Sequence, residues 1–402
     1  MAGERAHDLV VFGATGFTGK LTAEYLARHA PAECRWALAG RNADKLRAVR
    51  TALAEINPAC ADLPLVHADT TDPASMQELA AGARVVITTV GPYTQYGDPL
   101  VAACADNGTD YVDLAGEPEF VDRMYLRHHE RAATSGARIV HACGFDSIPH
   151  DLGVLHTVSR LPAREPVRVE GFVRVGGRFS GGTYASALTA FSRASTMART
   201  AKERRRAEPK PQGRKVRTHT GRAKLSSPVH AWSLPLPTID PQVVTRSAAA
   251  STAYGPEFTY GHYAAVKRLP VAIAGVAGLG VLALAAQITP VRKWLQNRLE
   301  PGSGPSAERR AQSWFTVRFI GREGDRTVIT EVSGGDPGYD ETATMLAESA
   351  LSLAFDDLPE VSGQVTPATA MGSALTERLV GAGMRFAVLD RTPTSPPHRV
   401  TT

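Results

Sequence analysis

Short apolar runs alternate with helical stretches over residues 1–150 of this 402-residue chain. The alternation is typical of parallel strands joined by crossover helices, so it predicts an α/β fold with an N-terminal, Rossmann-type, doubly wound domain. The predicted strands are Leu9–Phe12, Trp36–Ala39, Leu65–Ala68, Val85–Thr89, Tyr111–Leu114 and Arg138–His141. The predicted intervening helices include Ala43–Glu55, Pro73–Ala81, Pro99–Asn107 and Pro118–Ser135. Ligands bind such sheets at the carboxyl ends of the strands, so the turns found there are the candidate site.

Residues 151–402 show a different pattern, which predicts a second, α+β domain with a mostly antiparallel sheet. Val167–Val175 alternates apolar and polar residues as a half-exposed strand does, and a long helix is predicted from about Thr183 to Arg206. Further on, the sequence predicts a hairpin and then two helices: Trp314–Ile320 with Arg326–Val332, Asp340–Phe355 and Gly372–Gly381. We expect this domain to bind substrate across a cleft from the first one, and to form a homodimer.

A glycine-rich turn directly follows the first strand. Gly13, Gly16 and Gly19 suit a backbone that must turn tightly, approach a pyrophosphate and pack the next helix close to the strand. The helix predicted from Lys20 to Ala30 would direct its N-terminal N–H groups at the phosphates. The order strand, turn and helix therefore predicts a bound dinucleotide. Its predicted contacts are Gly13, Ala14, Thr15, Gly16, Phe17, Thr18 and Gly19.

The residues after the second strand favour NADP(H) over NAD(H). A site that prefers NAD(H) places an acid there for the ribose 2′-hydroxyl, but this chain has Gly40-Arg41-Asn42. Arg41 can pair with a 2′-phosphate through its planar guanidinium; the alternative is an exposed arginine that caps the next helix. Asp69, Gly91 and Pro92 lie in turns after later strands and complete the predicted cofactor site.

The cysteine spacing and the N-terminal residues argue against a zinc-binding, disulfide-rich or secreted protein. The four cysteines are widely spaced, with no CxxC pair and no His/Cys cluster at metal-ligand spacing. This spacing predicts neither a metal site nor a disulfide scaffold. The N-terminal residues lack the apolar core of a secretory signal, so we expect a cytoplasmic protein.

A basic segment at residues 197–224 accounts for the uneven charge of the chain. It carries eleven Lys and Arg residues against Glu203 and Glu208, in a chain of net charge +5. The segment has no aromatic residue for base stacking, so we expect no nucleic-acid partner. Anionic lipid, an acidic carrier protein or coenzyme A remain as partners, and a solvated helix and loop is the alternative.

Residues 269–291 form an uncharged apolar segment between Lys267-Arg268 and Arg292-Lys293. Its length fits a bilayer, but it is rich in Ala and Gly. A span would also separate the predicted hairpin from Val167–Val175, which we expect in the same sheet. We therefore expect peripheral contact with the plasma membrane, with a buried helix as the alternative.

Four sequence blocks together resemble the saccharopine dehydrogenase-like oxidoreductases, in their trans-acting enoyl reductase branch. The blocks are Gly13–Gly19, Val90–Gly97, Tyr111–Glu117 and Gly144–Gly153. The resemblance implies an NADP(H)-dependent reductase that acts on a double bond of a polyketide chain during complex lipid (glycolipid) assembly. The implied substrate is an acyl or polyketide thioester carried by a synthase or an acyl carrier protein.

Three side chains are candidates for the chemistry of such a reduction, which forms an enolate and needs a proton donor. Tyr93 follows the fourth strand, while Ser147 and His150 lie at the predicted start of a helix at Ile148. The structural alternatives are a packed Tyr93, a helix cap from Asp146-Ser147 and a surface His150. Two other functions stay open. One is an NADPH-binding protein of lipid surfaces that has no turnover. The other is an imine-type dehydrogenase, in which Arg174 and Arg178 could bind the substrate carboxylate.

Overall fold

The computed structural model describes residues 5–176, 193–226, 229–268 and 304–391, with isolated positions between 270 and 278. The strands are β1 (His7–Phe12), β2 (Trp36–Gly40), β3 (Leu65–His67), β4 (Ala83–Thr88), β5 (Asp110–Asp113), β6 (Arg138–Val140), β7 (Val167–Gly176), β8 (Lys215–Thr218), β9 (Lys224–Ser226), β10 (Ala231–Pro235), β11 (Glu257–Val266), β12 (Trp314–Glu323), β13 (Arg326–Gly334), β14 (Gly363–Val365) and β15 (Arg385–Leu389).

The helices surround both sheets. They are α1 (Phe17–His29), α2 (Ala43–Ile56), α3 (Pro73–Gly82), α4 (Tyr93–Tyr96), α5 (Asp98–Asn107), α6 (Pro118–Ser135), α7 (Ile148–Val158), α8 (Ala194–Ala207), α9 (Asp240–Ala250), α10 (Ala307–Arg310), α11 (Asp340–Phe355), α12 (Pro367–Ala370) and α13 (Gly372–Gly381). Short 3₁₀ turns occur at Pro58–Asp62 and Thr252–Tyr254.

The first sheet is parallel throughout its described strands, in the order β14-β6-β5-β4-β1-β2-β3. The interior strand β1, between β4 and β2, is apolar and covered on both faces, and Leu9, Val10 and Val11 are buried. A parallel strand with helices on both sides must bury both faces, which is why its sequence is a continuous apolar run. The predicted α/β fold with a Rossmann-type sheet is confirmed.

The C-terminal part of the chain returns to this first sheet. Strand β14 pairs in parallel with β6, and helix α11 packs against α1, β4 and β5. Tyr25 on α1 donates a hydrogen bond of 2.6 Å to Glu348 on α11. The first sheet and the helices packed on it therefore include α11 and β14 as well as the N-terminal part of the chain.

The second sheet is mixed and mostly antiparallel, in the order β15-β13-β12-β7-β11-β10-β9, with β8 beside β11. The predicted hairpin is present as β12 and β13, and β7 pairs antiparallel with β12. The predicted strand Val167–Val175 therefore shares a sheet with the hairpin, as expected. Only β11 forms parallel pairs among these strands, with β7 and β8.

Helix α7 connects the two sheets. It begins after the loop that follows β6 and then packs on β7, β12 and β13 of the second sheet. A Cβ atom at Gly153 would lie 2.3 Å from the ring of Phe319, so glycine is what lets this helix approach the sheet closely. The start of α7 is thereby held at the junction between the sheets.

Two predicted segments lie wholly or partly outside the described residues. The long helix predicted from Thr183 is described only from Ala194 onward, as α8. Most of the apolar segment 269–291 is also outside the description, as is Arg178. Among the helices that the structure does describe, none combines the length and the hydropathy needed to cross a bilayer.

Candidate active site

The glycine turn has the conformation that its sequence predicts. Gly13 adopts φ +94°, a backbone region that disfavours residues with a side chain. The N–H of Gly16 donates to the carbonyl of Gly13 at 3.0 Å, and α1 begins at Phe17, three residues earlier than predicted. The N–H groups of the first helical turn have no acceptor within the helix. They therefore face outward from the carboxyl edge of the first sheet, where an anion can be bound.

Gly16 and Gly19 serve different purposes in this turn. A Cβ atom at Gly19 would lie 2.2 Å from the carbonyl oxygen of Gly13 and 2.6 Å from Oγ1 of Thr89, so glycine is needed for packing. A Cβ atom at Gly16 would meet only the Gly13 carbonyl oxygen, at 3.4 Å, which is an ordinary contact. The protein itself does not require glycine at position 16. The space beside Gly16 fits the close approach of a pyrophosphate, so these residues suit the predicted dinucleotide.

Residues from the C-terminal half cover Phe17 at the start of α1. Its ring contacts the ring of Tyr339 edge-on, with centroids 4.9 Å apart, and the guanidinium of Arg310 lies 5.5 Å from its centroid. Arg310 is itself held by Asp340 at 2.7 Å. Phe17 thus links the glycine turn to the loop that precedes α11.

Arg41 lies exposed immediately after β2, close to Asp69. The cap of α2 is Asn42, whose side chain accepts from the N–H of Lys45 at 2.9 Å. Helix capping therefore does not explain Arg41. Hydrogen bonds from Thr71 lower the pKa of Asp69, and the charge of Arg41 adds to this effect. Both predicted contacts thus lie together at the carboxyl ends of β2 and β3, and Arg41 remains available for a 2′-phosphate.

The loop after β4 contains Gly91 and Pro92, joined by a cis peptide bond, and leads into Tyr93. The hydroxyl of Tyr93 donates to the carbonyl of Thr88 at 3.1 Å and accepts from the N–H of Leu114 at 3.2 Å. The backbone ends of β4 and β5 therefore occupy this hydroxyl, and its ring is buried. This geometry is that of the packing alternative, and the catalytic role of Tyr93 stays a prediction.

Asp113 joins the loops that follow β5 and β6 at the carboxyl edge of the first sheet. One carboxylate oxygen accepts from the N–H groups of Ala115 and Ala142, both at 2.9 Å. The other accepts from the hydroxyl of Tyr111 at 2.8 Å and lies 2.7 Å from Nδ1 of His141. Asp113 is completely buried, so these contacts compensate for its desolvation. The sequence contained no sign of this role.

Ser147 stands at the start of α7 with a buried hydroxyl group. It is the residue before the first helical turn, yet its side chain makes no capping hydrogen bond. Within the described residues its Oγ has no hydrogen-bond partner. The N–H groups of Ile148, His150 and Asp151 already donate to backbone carbonyls, and Pro149 has no N–H. These backbone N–H groups are therefore not available to a substrate oxygen, and Ser147 Oγ is the donor that remains at the start of α7.

Asp146, beside Ser147, is a carboxyl group poised to exchange a proton. Burial, with the nearby charge of Asp240, raises its pKa from 3.8 to about 6, although His150 acts in the opposite direction. Its carboxylate faces Gly116, where a Cβ atom would lie 2.8 Å from Oδ2. A carboxyl group with a pKa near neutrality is suited to general acid–base chemistry. Sequence reasoning treated Asp146 only as a helix cap.

His150 is buried, not on the surface, and meets two residues that sequence analysis missed. Its Nδ1 lies 2.7 Å from Oδ1 of Asp240, the first residue of α9. His262 on β11 places Nε2 at 3.5 Å from Oδ2 of Asp240. Burial lowers the pKa of His262 to about 4, so this ring is neutral at pH 7. The catalytic role of His150 stays a prediction.

Comparison with known proteins identifies the family. A family model described as the saccharopine dehydrogenase NADP binding domain matches residues 9–140. A provisionally named trans-acting enoyl reductase of Mycobacterium tuberculosis is 41% identical over 411 residues, covering 94% of this chain and 97% of that protein. A trans-acting enoyl reductase of Mycobacterium bovis is 38% identical over 420 residues, covering 95% and 97% of the two chains.

A solved structure supports the fold independently of the sequence relatives. The apo saccharopine dehydrogenase (L-Glu forming) of Saccharomyces cerevisiae aligns with a TM-score of 0.55 at 12% identity, over 95% of this chain and 100% of that one. The matching family model names NADP as the cofactor of the domain it describes, and the glycine turn lies within the matched residues. The chain belongs to the trans-acting enoyl reductase family of saccharopine dehydrogenase-like proteins, and it is an NADP(H)-dependent oxidoreductase.

Proposed function

We propose that this protein reduces the C=C bond of an α,β-unsaturated acyl or polyketide thioester during complex lipid (glycolipid) assembly. The observation that carries the proposal is the buried hydroxyl of Ser147, which caps no helix and has no partner among the described residues. An unpaired buried hydroxyl is costly, and a bound substrate would supply the hydrogen-bond acceptor that Ser147 lacks. The names of the relatives supply the reaction class.

The cofactor, when bound, supplies a hydride to the β-carbon of the substrate. The residues of this chain must then stabilise negative charge that develops on the thioester oxygen. Ser147 Oγ is the assigned donor to that oxygen, since the backbone N–H groups near it already have acceptors. A hydrogen-bond donor that is held in place and shielded from solvent stabilises such a charge more strongly than water does.

A proton must also reach the α-carbon, and Asp146 is the assigned source. Its raised pKa, about 6, keeps a protonated fraction at neutral pH and lets the group recover its proton after each turnover. Tyr93 is assigned a positioning role, because its hydroxyl joins the ends of β4 and β5.

The basic helix α8 is suited to contact with an anionic surface, such as a lipid membrane that holds the substrate or its carrier. Its exposed cations are Arg199, Lys202, Arg205 and Arg206. Arg204 on the same helix is not part of this surface, because it is buried against Asp122 at 2.8 Å. With the apolar segment 269–291, these residues support peripheral contact with anionic lipid as part of the proposal.

The test is NADPH consumption with a long-chain enoyl thioester of pantetheine, repeated with the same chain on an acyl carrier protein. We expect turnover with NADPH, a loss of kcat in Ser147→Ala, and little change in Ser159→Ala. Ser159 is the matched control, because it lies at the exposed far end of α7. Tight NADPH binding with no turnover on either substrate would favour the binding-only function. Equal activity in both serine variants would remove Ser147 from the mechanism.

A further inference from the structure

Three side chains from separate elements meet in the interior between the sheets: His150 on α7, Asp240 on α9 and His262 on β11. They are 2%, 2% and 5% exposed, respectively. One imidazole nitrogen or carboxylate oxygen from each lies within 4.8 Å of the others. The rings of His150 and His262 are edge to face, with centroids 5.0 Å apart.

Hydrogen bonding explains this arrangement only in part, because both nitrogens of His150 and one oxygen of Asp240 lack a well-directed hydrogen bond among the described residues. Nδ1 of His150 and Oδ1 of Asp240 are 2.7 Å apart, yet neither atom has a hydrogen bond of acceptable geometry within the described residues. Nε2 of His150 is buried without a partner as well. A hydrogen bond needs the N–H directed at the oxygen, whereas two ligands of one ion direct their lone pairs at a common point. A buried polar atom without a partner needs an explanation, and a bound ion is one that accounts for several such atoms meeting at one point.

The distances fit ligands of a single small cation. Zinc binds imidazole nitrogen and carboxylate oxygen at about 2.0–2.2 Å, which places two tetrahedral ligands about 3.3 Å apart. Oδ1 of Asp240 lies 2.7 Å from Nδ1 of His150, and Oδ2 lies 3.5 Å from Nε2 of His262, so these two distances lie on either side of this separation. The donor set of two imidazoles and one carboxylate is one that zinc and related divalent metals accept.

The surroundings support the same conclusion. Tyr260 Oη lies 3.0 Å from Nδ1 of His262. With the proton on Nδ1 directed at Tyr260, Nε2 of that ring keeps a lone pair for an ion on the side of Asp240. Metal-binding histidines commonly donate their other N–H to a neighbouring group in this way.

We propose that His150, Asp240 and His262 bind one divalent transition-metal ion, with Zn²⁺ as the best-fitting ion. Three protein ligands leave a further coordination position open, a pattern typical of catalytic zinc sites. The ligands are far apart in sequence, which is why the spacing of histidines and cysteines predicted no metal site. The binding proposal does not depend on enoyl reduction.

The experiment measures metal content of the full chain, purified without chelator and freed of any polyhistidine tag. We expect about one equivalent of Zn²⁺ per chain, lost on chelation and regained on adding Zn²⁺ alone. Asp240→Asn and His262→Gln should each lose most of this metal. His156→Gln should retain it, because His156 lies on the same helix but contacts Phe386 instead. Circular dichroism establishes that each variant is folded.

A second measurement covers the case in which the variants do not fold. Wild-type protein stripped of metal and titrated with Co²⁺ should show the visible absorption of a protein-bound ion, displaced by Zn²⁺. Folded wild-type protein that takes up neither ion would overturn the proposal, as would zinc held equally by folded Asp240→Asn. Because these readouts need no substrate, they remain valid if the reductase assay fails.

Discussion

The contrast between Gly16 and Gly19 makes a sharp prediction about cofactor binding. In Gly16→Ala the new methyl group meets only the Gly13 carbonyl oxygen, at an acceptable 3.4 Å. The backbone there, φ −79° and ψ 164°, is one that alanine adopts readily. A weaker helix cap and a less flexible unfolded chain offset each other, so the stability should change by less than about 1 kcal/mol. The methyl group instead fills the space assigned to the pyrophosphate.

The expected loss of affinity follows from the hydrogen bonds that would be lost. A backbone N–H donating to a charged group contributes about 1.5–3 kcal/mol. Loss of one such bond weakens NADPH binding roughly 10- to 150-fold, since about 1.4 kcal/mol corresponds to a factor of ten. Gly19→Ala is the contrasting variant. Its methyl group would lie 2.2 Å from a backbone oxygen, so it should destabilise the fold by about 1–3 kcal/mol.

The assay is an NADPH titration by calorimetry, alongside thermal unfolding of both variants. We expect Gly16→Ala to unfold at the same temperature as the wild type and to bind NADPH weakly. Binding within about twofold of wild type in Gly16→Ala would show that the pyrophosphate does not approach this glycine. A large fall in its melting temperature would show that the protein fold, and not the ligand, needs glycine there.

Three further predictions concern specificity, proton transfer and membrane contact. Arg41→Ala should weaken NADPH binding at least tenfold and leave NADH binding nearly unchanged, since only NADPH carries the 2′-phosphate; equal losses in the two titrations would refute this role. Asp146→Asn should lower kcat and yet stabilise the fold at pH 8. The fold raises the pKa of Asp146 from 3.8 to about 6, so its stabilising effect is complete below pH 3.8 and is lost as pH rises through about 6. At pH 8 the ionised carboxylate of Asp146 lowers the free energy of unfolding by at most about 3 kcal/mol, and partial exposure of the side chain reduces this effect. Urea melts at pH 5 and pH 8 measure it, and an Asn variant less stable than wild type at pH 8 would contradict the assignment. Deletion of residues 269–291 should abolish co-sedimentation with vesicles of anionic phospholipid, and intact protein that does not sediment with them would refute lipid contact.

Local sequence signals were enough to predict the first sheet, the glycine turn and the hairpin. In each case an apolar run and its turn residues are contiguous, so the element is specified by neighbours in the chain. Strand β14 could not be predicted as a member of the first sheet, because Gly363–Val365 is only three residues long and pairs with β6 from far away in sequence. The long element β11 was missed because its glycine and histidine interrupt the apolar pattern.

The candidate site was predictable only where one segment carries it. Ser147 and His150 lie in a single block, so the sequence drew attention to both. Asp240 and His262 come from α9 and β11, and only the packing of α9 against both α7 and β11 brings them to His150. The sequence likewise could not show that Asn42, not Arg41, caps α2, since either residue follows β2 closely enough.

The most direct test of the central claim is the fate of the transferred hydride. The protein is incubated with a carrier-bound enoyl thioester and NADPH that bears deuterium at the reactive C4 position, and the product is examined by mass spectrometry and NMR. We expect a saturated thioester with one deuterium at the β-carbon and solvent hydrogen at the α-carbon. NADPH oxidation that leaves the thioester unsaturated, or deuterium recovered at a carbonyl or imine carbon, would contradict it.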